Sequence, residues 1–176
     1  MRRLFFILLS GIFLMTGFPQ EPKEGKLVNQ VFEDFSVGKN KNIDTIVILL
    51  HPIHDIPRTD FNFERIKDHY KGFKKSTYEN FVDNLDKEIV LHDLKTLDTP
   101  FIIDQAVYKD YSEIFSKHAN IQIIEISNIG YSEDKTQAFI YFGKIQGAMS
   151  AGGVYLVYEK KKAKWRKKKI VGAWAT

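Results

Sequence analysis

The chain has 176 residues, of which 44% are hydrophobic and 14% are aromatic, and it carries a formal net charge of +4. This composition favours a packed globule and excludes an intrinsically disordered chain, which would have too little apolar surface to bury. Because the chain contains no cysteine, disulfides, a catalytic thiol and a cysteine-linked lipid anchor are excluded as well.

Residues 1–20 have the pattern of a secretory signal peptide. Arg2 and Arg3 precede an almost unbroken apolar run over residues 4–18, and a basic start before a short apolar region is typical of export signals. The run is shorter than the roughly 20 residues that a membrane-spanning helix needs. We therefore expect a cleaved signal and a periplasmic or secreted protein; an uncleaved membrane anchor and a buried core segment are the alternatives.

The first half of the mature chain mixes helices with one strong strand. An apolar stripe over residues 28–35 predicts an amphipathic helix that ends at Gly38. Residues 43–50 are nearly all apolar and predict a strand buried on both faces. Two prolines within residues 51–60 predict a loop.

A capping box is predicted further along, where Ser76 and Glu79 have the spacing at which each side chain bonds the backbone N–H of the other. The apolar stripe of a helix follows it over residues 78–85. The other elements predicted in this half are a helix over residues 62–70, an extended piece over residues 100–103 and a helix over residues 107–118.

The second half changes to a period of two, with short polar turns between β-rich segments. Helices followed by such strands are typical of an α+β fold. We predict a single domain over residues 21–176, with several short helices on one face of an antiparallel sheet. Since only one face would be covered, some of the aromatic residues Phe139, Tyr141 and Tyr155 should be exposed. The sheet should end in a four-stranded meander over residues 121–129, 136–145, 154–158 and 165–174.

Parts of this pattern resemble an uncharacterised family of bacterial exported proteins. The similarity is carried by residues 129–141 (I-G-Y-S-E-D-K-T-Q-A-F-I-Y), 155–161 (Y-L-V-Y-E-K-K) and 164–165 (K-W), and by residues 76–85, which are similar to the family's middle helix. Many members have two cysteines in a glycine-rich loop, where Gln146 and Ser150 stand in this chain. The resemblance implies export and an α+β fold but no activity. The last two strands are also similar to those of nuclear-transport-factor-two-like and cystatin-like folds.

Positive charge is concentrated in residues 159–169, which contain eight basic residues and one acidic residue. The local charge is +7, so the other 165 residues carry −3 of the total of +4. Such a run can attract phosphates or anionic lipid, and it also suits a hairpin whose lysines protect an exposed strand edge. Aromatic residues, which nucleic-acid binders interleave with cations, are limited here to Trp165. We expect no specific nucleic-acid binding and at most weak attraction of residues 160–169 to anionic surfaces.

Candidate metal ligands occur in the loop after the buried strand, at His51, His54 and Asp55. Two imidazoles and a carboxylate could hold zinc, with His69 or His92 as a further ligand. The spacing matches no established metal motif, and Pro52 stiffens the loop. We therefore expect neither a bound metal nor a cofactor.

No other segment has a catalytic or ligand-binding signature. The glycines of residues 143–153 could suggest a phosphate loop, but a strand follows them instead of a helix N-terminus, so a hairpin loop with positive φ angles is the favoured interpretation. Ser132 and Ser150 have no identifiable base. The sequence favours an exported, non-catalytic domain that binds an envelope or extracellular protein or glycan; the alternative is a small hydrolase or metal-dependent enzyme that uses His51 and His54.

Overall fold

The computed structural model describes residues 24–50, 62–87, 89, 94, 97, 99–104, 111–117, 120–146 and 150–175. The helices among these residues are α1 (Glu24–Asp34), α2 (Phe63–His69), α3 (Lys75–Asn84) and α4 (Ser112–Lys117). The strands are β1 (Thr45–Leu50), β2 (Phe101–Asp104), β3 (Ile121–Ile126), β4 (Gly130–Tyr131), β5 (Gln137–Ile145), β6 (Ala151–Lys161) and β7 (Lys164–Ala175). The predicted signal over residues 1–20 and the loop over residues 51–60 lie outside the described part of the chain.

The strands form one mixed sheet in the order β2-β1-β3-β5-β6-β7, with the short β4 paired to β5. The α+β class and the closing meander β3-β5-β6-β7 are confirmed, because those neighbours are antiparallel. The prediction of an antiparallel sheet is wrong, since β1 runs parallel to both β2 and β3. The physical reason lies in β1 itself. Its last five residues are all buried, as is typical of a central parallel strand, and helix-containing connections return the chain to its two sides.

Helices cover both faces of the sheet, so the prediction of one covered face is also wrong. On the α1 face, Leu27, Val28, Val31 and Phe32 pack against β-strand residues such as Ile140. On the opposite face, here called the α3 face, apolar residues of α2, α3 and α4 pack in two clusters. Consequently Phe139 and Tyr141 are buried, and Tyr155 is half-buried.

The individual elements follow the sequence predictions closely at their apolar positions. The stripe of residues 28–35 forms most of α1, and Gly38 beyond its end has a φ of 75°. In α2 the Asn62 side chain accepts a hydrogen bond from the Arg65 backbone N–H at 2.9 Å, which satisfies one of the free donors of a helix start. The extended piece forms β2, and α4 occupies residues within the predicted helix of 107–118. No helix in the described ranges is long and apolar enough to cross a membrane.

The β6–β7 hairpin turns through Lys162 and Ala163, whose φ angles are 48° and 62°. Two consecutive residues with positive φ match the right-handed twist of the strands that they join. Residues with a Cβ are disfavoured in this region by about 1–2 kcal/mol, and glycine has no such penalty. Lys162 and Ala163 therefore adopt a backbone conformation that their Cβ atoms disfavour.

Replacing Ala163 by Gly should stabilise the protein by about 1 kcal/mol, because glycine adopts a φ of 62° without a clash. Urea denaturation of both proteins measures this difference. As the control, Ala173→Gly in β7 should destabilise the protein by about 0.5–1 kcal/mol, since its φ is not positive. A less stable Ala163→Gly variant would contradict the argument.

Candidate functional site

The histidine loop predicted as a metal site, with His51, His54 and Asp55, lies outside the described residues, as does His92. His69 is exposed near the end of α2. In the described ranges, no group of three or more histidine, aspartate or glutamate side chains is placed to hold a metal ion.

A row of residues with two glycines at its centre crosses the α3 face near one end of the sheet. The register pairs Glu125 of β3 with Gly143, Gly143 with Gly153, and Gly153 with Trp174 of β7. We call these four residues the glycine row. The expected positive φ angles are wrong for both glycines, since Gly38 is the only described glycine that has one. The glycines are needed for close approach instead: a Cβ on Gly153 would lie 2.4 Å from both the Tyr141 hydroxyl and the Trp174 Nε1.

Side chains meet above the glycine row in a chain of hydrogen bonds. Trp174 Nε1 donates to the Tyr141 hydroxyl at 3.2 Å, and that hydroxyl donates to Glu125 Oε2 at 3.2 Å. The Tyr111 hydroxyl donates to the other carboxylate oxygen, Oε1. Glu125 is 7% exposed, so its charge is stabilised by donors of the chain itself.

The electrostatics of this network keep its phenols protonated. Burial, followed by the charge of Glu125, raises the pKa of Tyr141 well above its usual range. Burial and the hydrogen bond to Glu125 raise the pKa of Tyr111 in the same way, and burial alone raises that of Tyr155. A phenol with a raised pKa is a weaker acid and keeps its proton at neutral pH. The arrangement therefore suits a fixed hydrogen-bonding scaffold better than proton transfer.

A groove of about 440 Å³ opens at the same end of the sheet, beyond the end of α1. The rings of Phe35 and Phe142 stack there with centroids 4.6 Å apart. Trp174 also lines the groove, where its backbone oxygen lies 3.1 Å from the position of a Cβ on Gly152, whereas its ring lies over Gly153 on the α3 face. The residue is 43% exposed. We call it the Trp174 groove; its lining is Phe35, Phe142, Lys144, Gln146, Ser150, Ala151, Gly152, Gly153, Val154, Trp174 and Ala175.

Gln146 and Ser150, which stand where many members of the resembling family have cysteine, are at the rim of this groove. The Gln146 backbone N–H donates to the Ser150 carbonyl at 2.8 Å. That bond closes the segment between β5 and β6. The two positions are therefore neighbours in space, and their polar groups contribute to the groove.

Other residues in the segments that resemble the exported family, such as Gln137, form hydrogen bonds that hold the fold together and do not form a site. Gln137 is 1% exposed. Its Oε1 accepts from the Lys74 backbone N–H at 2.8 Å and from the Thr77 hydroxyl at 3.1 Å, while its Nε2 donates to the Gly72 carbonyl at 2.9 Å. We call this set the Gln137 clamp. The predicted capping box is wrong, because α3 begins at Lys75 and Gln137 satisfies the N–H of the preceding residue.

The turn between β4 and β5 is held in a similar way. The Asp134 carboxylate accepts hydrogen bonds from Lys74 Nζ at 2.6 Å, Ser132 Oγ at 2.7 Å and Thr136 Oγ1 at 2.9 Å. These donors hold the pKa of Asp134 well below its usual range. Just before the turn, Gly130 lies so close to α3 that a Cβ on it would be 2.4 Å from the Cβ of Phe81. The Ser132 hydroxyl therefore has a structural role in the turn.

Glu159 also links two elements on the α3 face. It accepts a hydrogen bond from the Tyr70 hydroxyl, and this bond is the main cause of a lowered pKa at Glu159. Burial and the Glu159 carboxylate raise the pKa of Tyr70 to about 12. The bond ties α2 to the end of β6.

No protein-family model matches the chain, and comparisons with curated proteins and with solved structures found no significant match. The resemblance to exported bacterial proteins therefore stays a prediction. Arguments about function rest on the geometry described above.

Replacing Gln137 by Met should lower the free energy of unfolding by about 2–4 kcal/mol, because the Gln137 clamp would lose its bonds and leave buried groups unpaired. Urea denaturation provides the measurement. Gln122→Met is the matched control: that residue is 1% exposed, and its Oε1 has no hydrogen-bond partner among the described residues. The control should be neutral or stabilising. Equal losses in both variants would contradict the role of the clamp.

Stability should also fall as the pH rises above about 10, the usual pKa of tyrosine in an unfolded chain. Burial raises the native pKa of Tyr111, Tyr141, Tyr155 and Tyr158. Above pH 10 the unfolded chain therefore binds fewer protons than the native protein, and each such tyrosine costs up to about 1.4 kcal/mol per pH unit.

Urea denaturation between pH 8 and pH 11 measures this slope, and absorbance at 295 nm follows tyrosine ionisation. The Tyr158→Phe variant should show a shallower slope, because it has one ionisable phenol fewer. Stability that stays constant to pH 11 would contradict the prediction.

Proposed function

We propose that the chain is an exported bacterial protein whose α+β domain binds an envelope or extracellular protein or glycan and catalyses no reaction. The observation that carries this proposal is the half-exposed ring of Trp174, which its hydrogen bond to Tyr141 fixes on the α3 face, at the end of the sheet where the Trp174 groove opens on the α1 face. An aromatic ring held in place gives up little conformational freedom when a partner covers it. Tryptophan is also enriched among the residues that dominate binding energies.

The composition of the groove supports binding as well. Its walls combine the stacked rings of Phe35 and Phe142 with polar groups of Lys144, Gln146 and Ser150 at the rim. Apolar walls with a few polar groups are typical of binding sites, in which the polar groups fix orientation. Stacking on an aromatic ring also suits the flat apolar faces of sugars and peptide side chains.

The engagement of three acidic side chains in the described part of the chain favours binding over catalysis. Glu125 accepts from two phenols, Asp134 accepts from the Lys74 ammonium, and Glu159 accepts from Tyr70. A general base must reach a substrate proton with a free lone pair. These carboxylates instead hold elements of the fold together.

The proposed location rests on the basic and apolar pattern of residues 1–20. After removal of this segment the domain would face the periplasm or the cell exterior, where the groove meets envelope components. The absence of cysteine from the chain makes the domain independent of the redox state of that compartment.

Photocrosslinking in the native bacterium tests the proposal. A benzophenone amino acid at Ser150, which lines the groove, should give one discrete adduct on a product that begins near residue 20 and fractionates with the envelope or medium. Mass spectrometry then identifies the adduct as protein or glycan. A partner that covers this end of the sheet contacts the Trp174 ring as well as the groove, so Trp174→Ala in the same background should reduce the adduct about tenfold, as expected when an aromatic anchor of about 1.4 kcal/mol is lost.

The matched control places the crosslinker at Val82 of α3, which is 40% exposed and is not part of the groove lining. It should give no corresponding adduct. An identical adduct pattern at both positions, or an intact Met1 on a cytoplasmic product, would refute the proposal.

A further inference from the structure

The outer edge of the sheet at β7 carries a row of exposed cations. β7 is the last strand in the sheet order, so the described residues provide it with one strand neighbour, β6, on one side only. No acidic residue occurs in the strand, and its five cations are all exposed; they are Lys164, Arg166, Lys167, Lys168 and Lys169. This edge therefore has a strong local positive charge.

The cations of β7 are divided between the two faces of the sheet. The register pairs Arg166 with Glu159, and Lys168 Nζ lies 3.3 Å from Glu159 Oε2, so both cations belong to the α3 face. Lys167 belongs to the α1 face, where its Nζ lies 4.6 Å from the ring centroid of Phe35. The cations therefore cannot all reach a ligand on one face. A flat surface that meets the edge of the sheet is within reach of side chains from both faces.

An exposed apolar residue follows the cations on the same edge. Ile170 is 44% exposed, although its partner on β6, Leu156, is fully buried in the core on the α1 face. The apolar surface of Ile170 thus extends from the core into the solvent. Binding to a lipid surface becomes stronger both with buried apolar area and with attraction to anionic lipid. The β7 edge, by which we mean its five cations and Ile170, supplies both.

Protection against pairing with another strand accounts for only part of this pattern. The register of β6 and β7 shifts twice, between Tyr155 and Leu156 and between Val157 and Tyr158. Such bulges bend an edge strand and interrupt its row of backbone groups, so they already protect the edge. Two copies that paired along the cationic half of β7 would also place like charges opposite one another. An anionic partner fits this edge better than a second copy of the chain.

The positions of the two tryptophans argue against a nucleic acid as that partner. Trp165, which stands among the cations, is 6% exposed and packs in the core on the α1 face. Trp174 stands five positions beyond the last cation, Lys169, which is about 17 Å along a strand. Single-stranded nucleic acids stack their bases on exposed rings close to the cations. A nucleic acid would find mainly charge at this edge, whereas a membrane would also cover Ile170.

We propose that the β7 edge docks on an anionic membrane surface, with its five cations among the lipid headgroups and Ile170 at the boundary with the acyl chains. Basic residues near anionic lipid are attracted to the surface as a whole and need no preformed pocket. The proposal goes beyond the weak general attraction expected from the sequence, because it requires the folded edge and Ile170. It is also additional to the function proposed for the Trp174 groove.

Sedimentation with sucrose-loaded vesicles tests the proposal on the natively processed protein. The salt concentration is about 0.15 M, at which attraction between distant charges is screened. One set of vesicles consists of phosphatidylcholine alone, and in the other a quarter of the lipid is phosphatidylglycerol. We expect saturable binding to the second set only. A duplex oligonucleotide at the same concentration of phosphate serves as the competitor and should displace little of the protein.

Charge variants show whether the cations act from this edge. Lys164→Gln with Arg166→Gln should weaken vesicle binding at least about tenfold, since two cations at about 1 kcal/mol each exceed the 1.4 kcal/mol of a tenfold change. The matched control is Lys39→Gln with Lys41→Gln. These lysines are exposed and follow Gly38, which packs against β1, and β3, β5 and β6 separate β1 from β7. The control should leave binding nearly unchanged.

An apolar variant separates docking from attraction by charge alone. Ile170→Thr removes apolar surface but keeps a β-branched side chain that suits a strand, so binding should weaken at least about threefold. Ile102→Thr is the matched control, because Ile102 is also 44% exposed but lies in β2 at the opposite edge of the sheet. It should leave binding unchanged.

Four results would overturn the proposal: no binding to the anionic vesicles, equal weakening by the two double variants, equal binding by Ile170→Thr and Ile102→Thr, or displacement of most of the protein by the oligonucleotide. Circular dichroism and thermal unfolding confirm that each variant is folded. Because no variant changes a residue of the Trp174 groove, a negative result here does not affect the crosslinking test at Ser150.

Discussion

The buried amide of Gln137 is the contact on which one whole side of the molecule depends. It stands at the start of β5 and bonds the turn between α2 and α3 as well as the first turn of α3. An unpaired amide at this depth would cost about 1–3 kcal/mol for each lost partner, so one position of the helix pair is strongly preferred. From there Phe81 reaches Phe139, with ring centroids 4.8 Å apart, and Tyr70 reaches Glu159. The apolar packing of this face follows from a polar contact.

Two cavities among the described residues, the Trp174 groove and one lined by Gln30, Asp34 and residues 164–167, both lie beside α1. Helix geometry explains why. An α-helix of 11 residues, the length of α1, is about 16 Å long. A strand of 11 residues, the length of β6, is about 36 Å long. One short helix therefore leaves part of its face uncovered. Phe35, which directly follows α1, divides the uncovered area into two parts. Its ring packs on Phe142 and lies beneath the ammonium group of Lys167.

The sequence predicted correctly whether most elements are helices or strands, but it did not predict which strands are neighbours in the sheet. The apolar run of residues 43–50 predicted a doubly buried strand, and β1 is one. Periodicity says nothing about which strands flank it, so the parallel pairing was missed. The amphipathic stripe of α1 was also recognised, but its position on the opposite face from α3 depends on tertiary packing.

The sites were harder to predict because their residues are distant in sequence. Ser76 and Glu79 satisfied a local rule for helix starts, but a side chain about 60 residues away took over that role. The glycines suggested a loop, and only the strand register reveals that Gly143 and Gly153 stand between Glu125 and Trp174. The concentration of charge in residues 159–169 was visible at once. How this charge is divided between the two faces of the sheet is shown only by the contacts that its lysines make with the side chains of Trp165, Phe35 and Glu159.

The central position of β1 has a consequence for how the chain folds as it emerges from the ribosome. Thr45 pairs with Ile121, so strand and partner are 76 positions apart. The meander of β3, β5, β6 and β7 is local by comparison, and local contacts form faster than distant ones. Until Asp104 has emerged, the apolar segment Thr45–Leu50 lacks both neighbours and exposes both edges, and until Ile126 has emerged its β3 edge stays open. A strand that is almost fully buried in the native protein is thus the segment most in need of chaperone protection during synthesis.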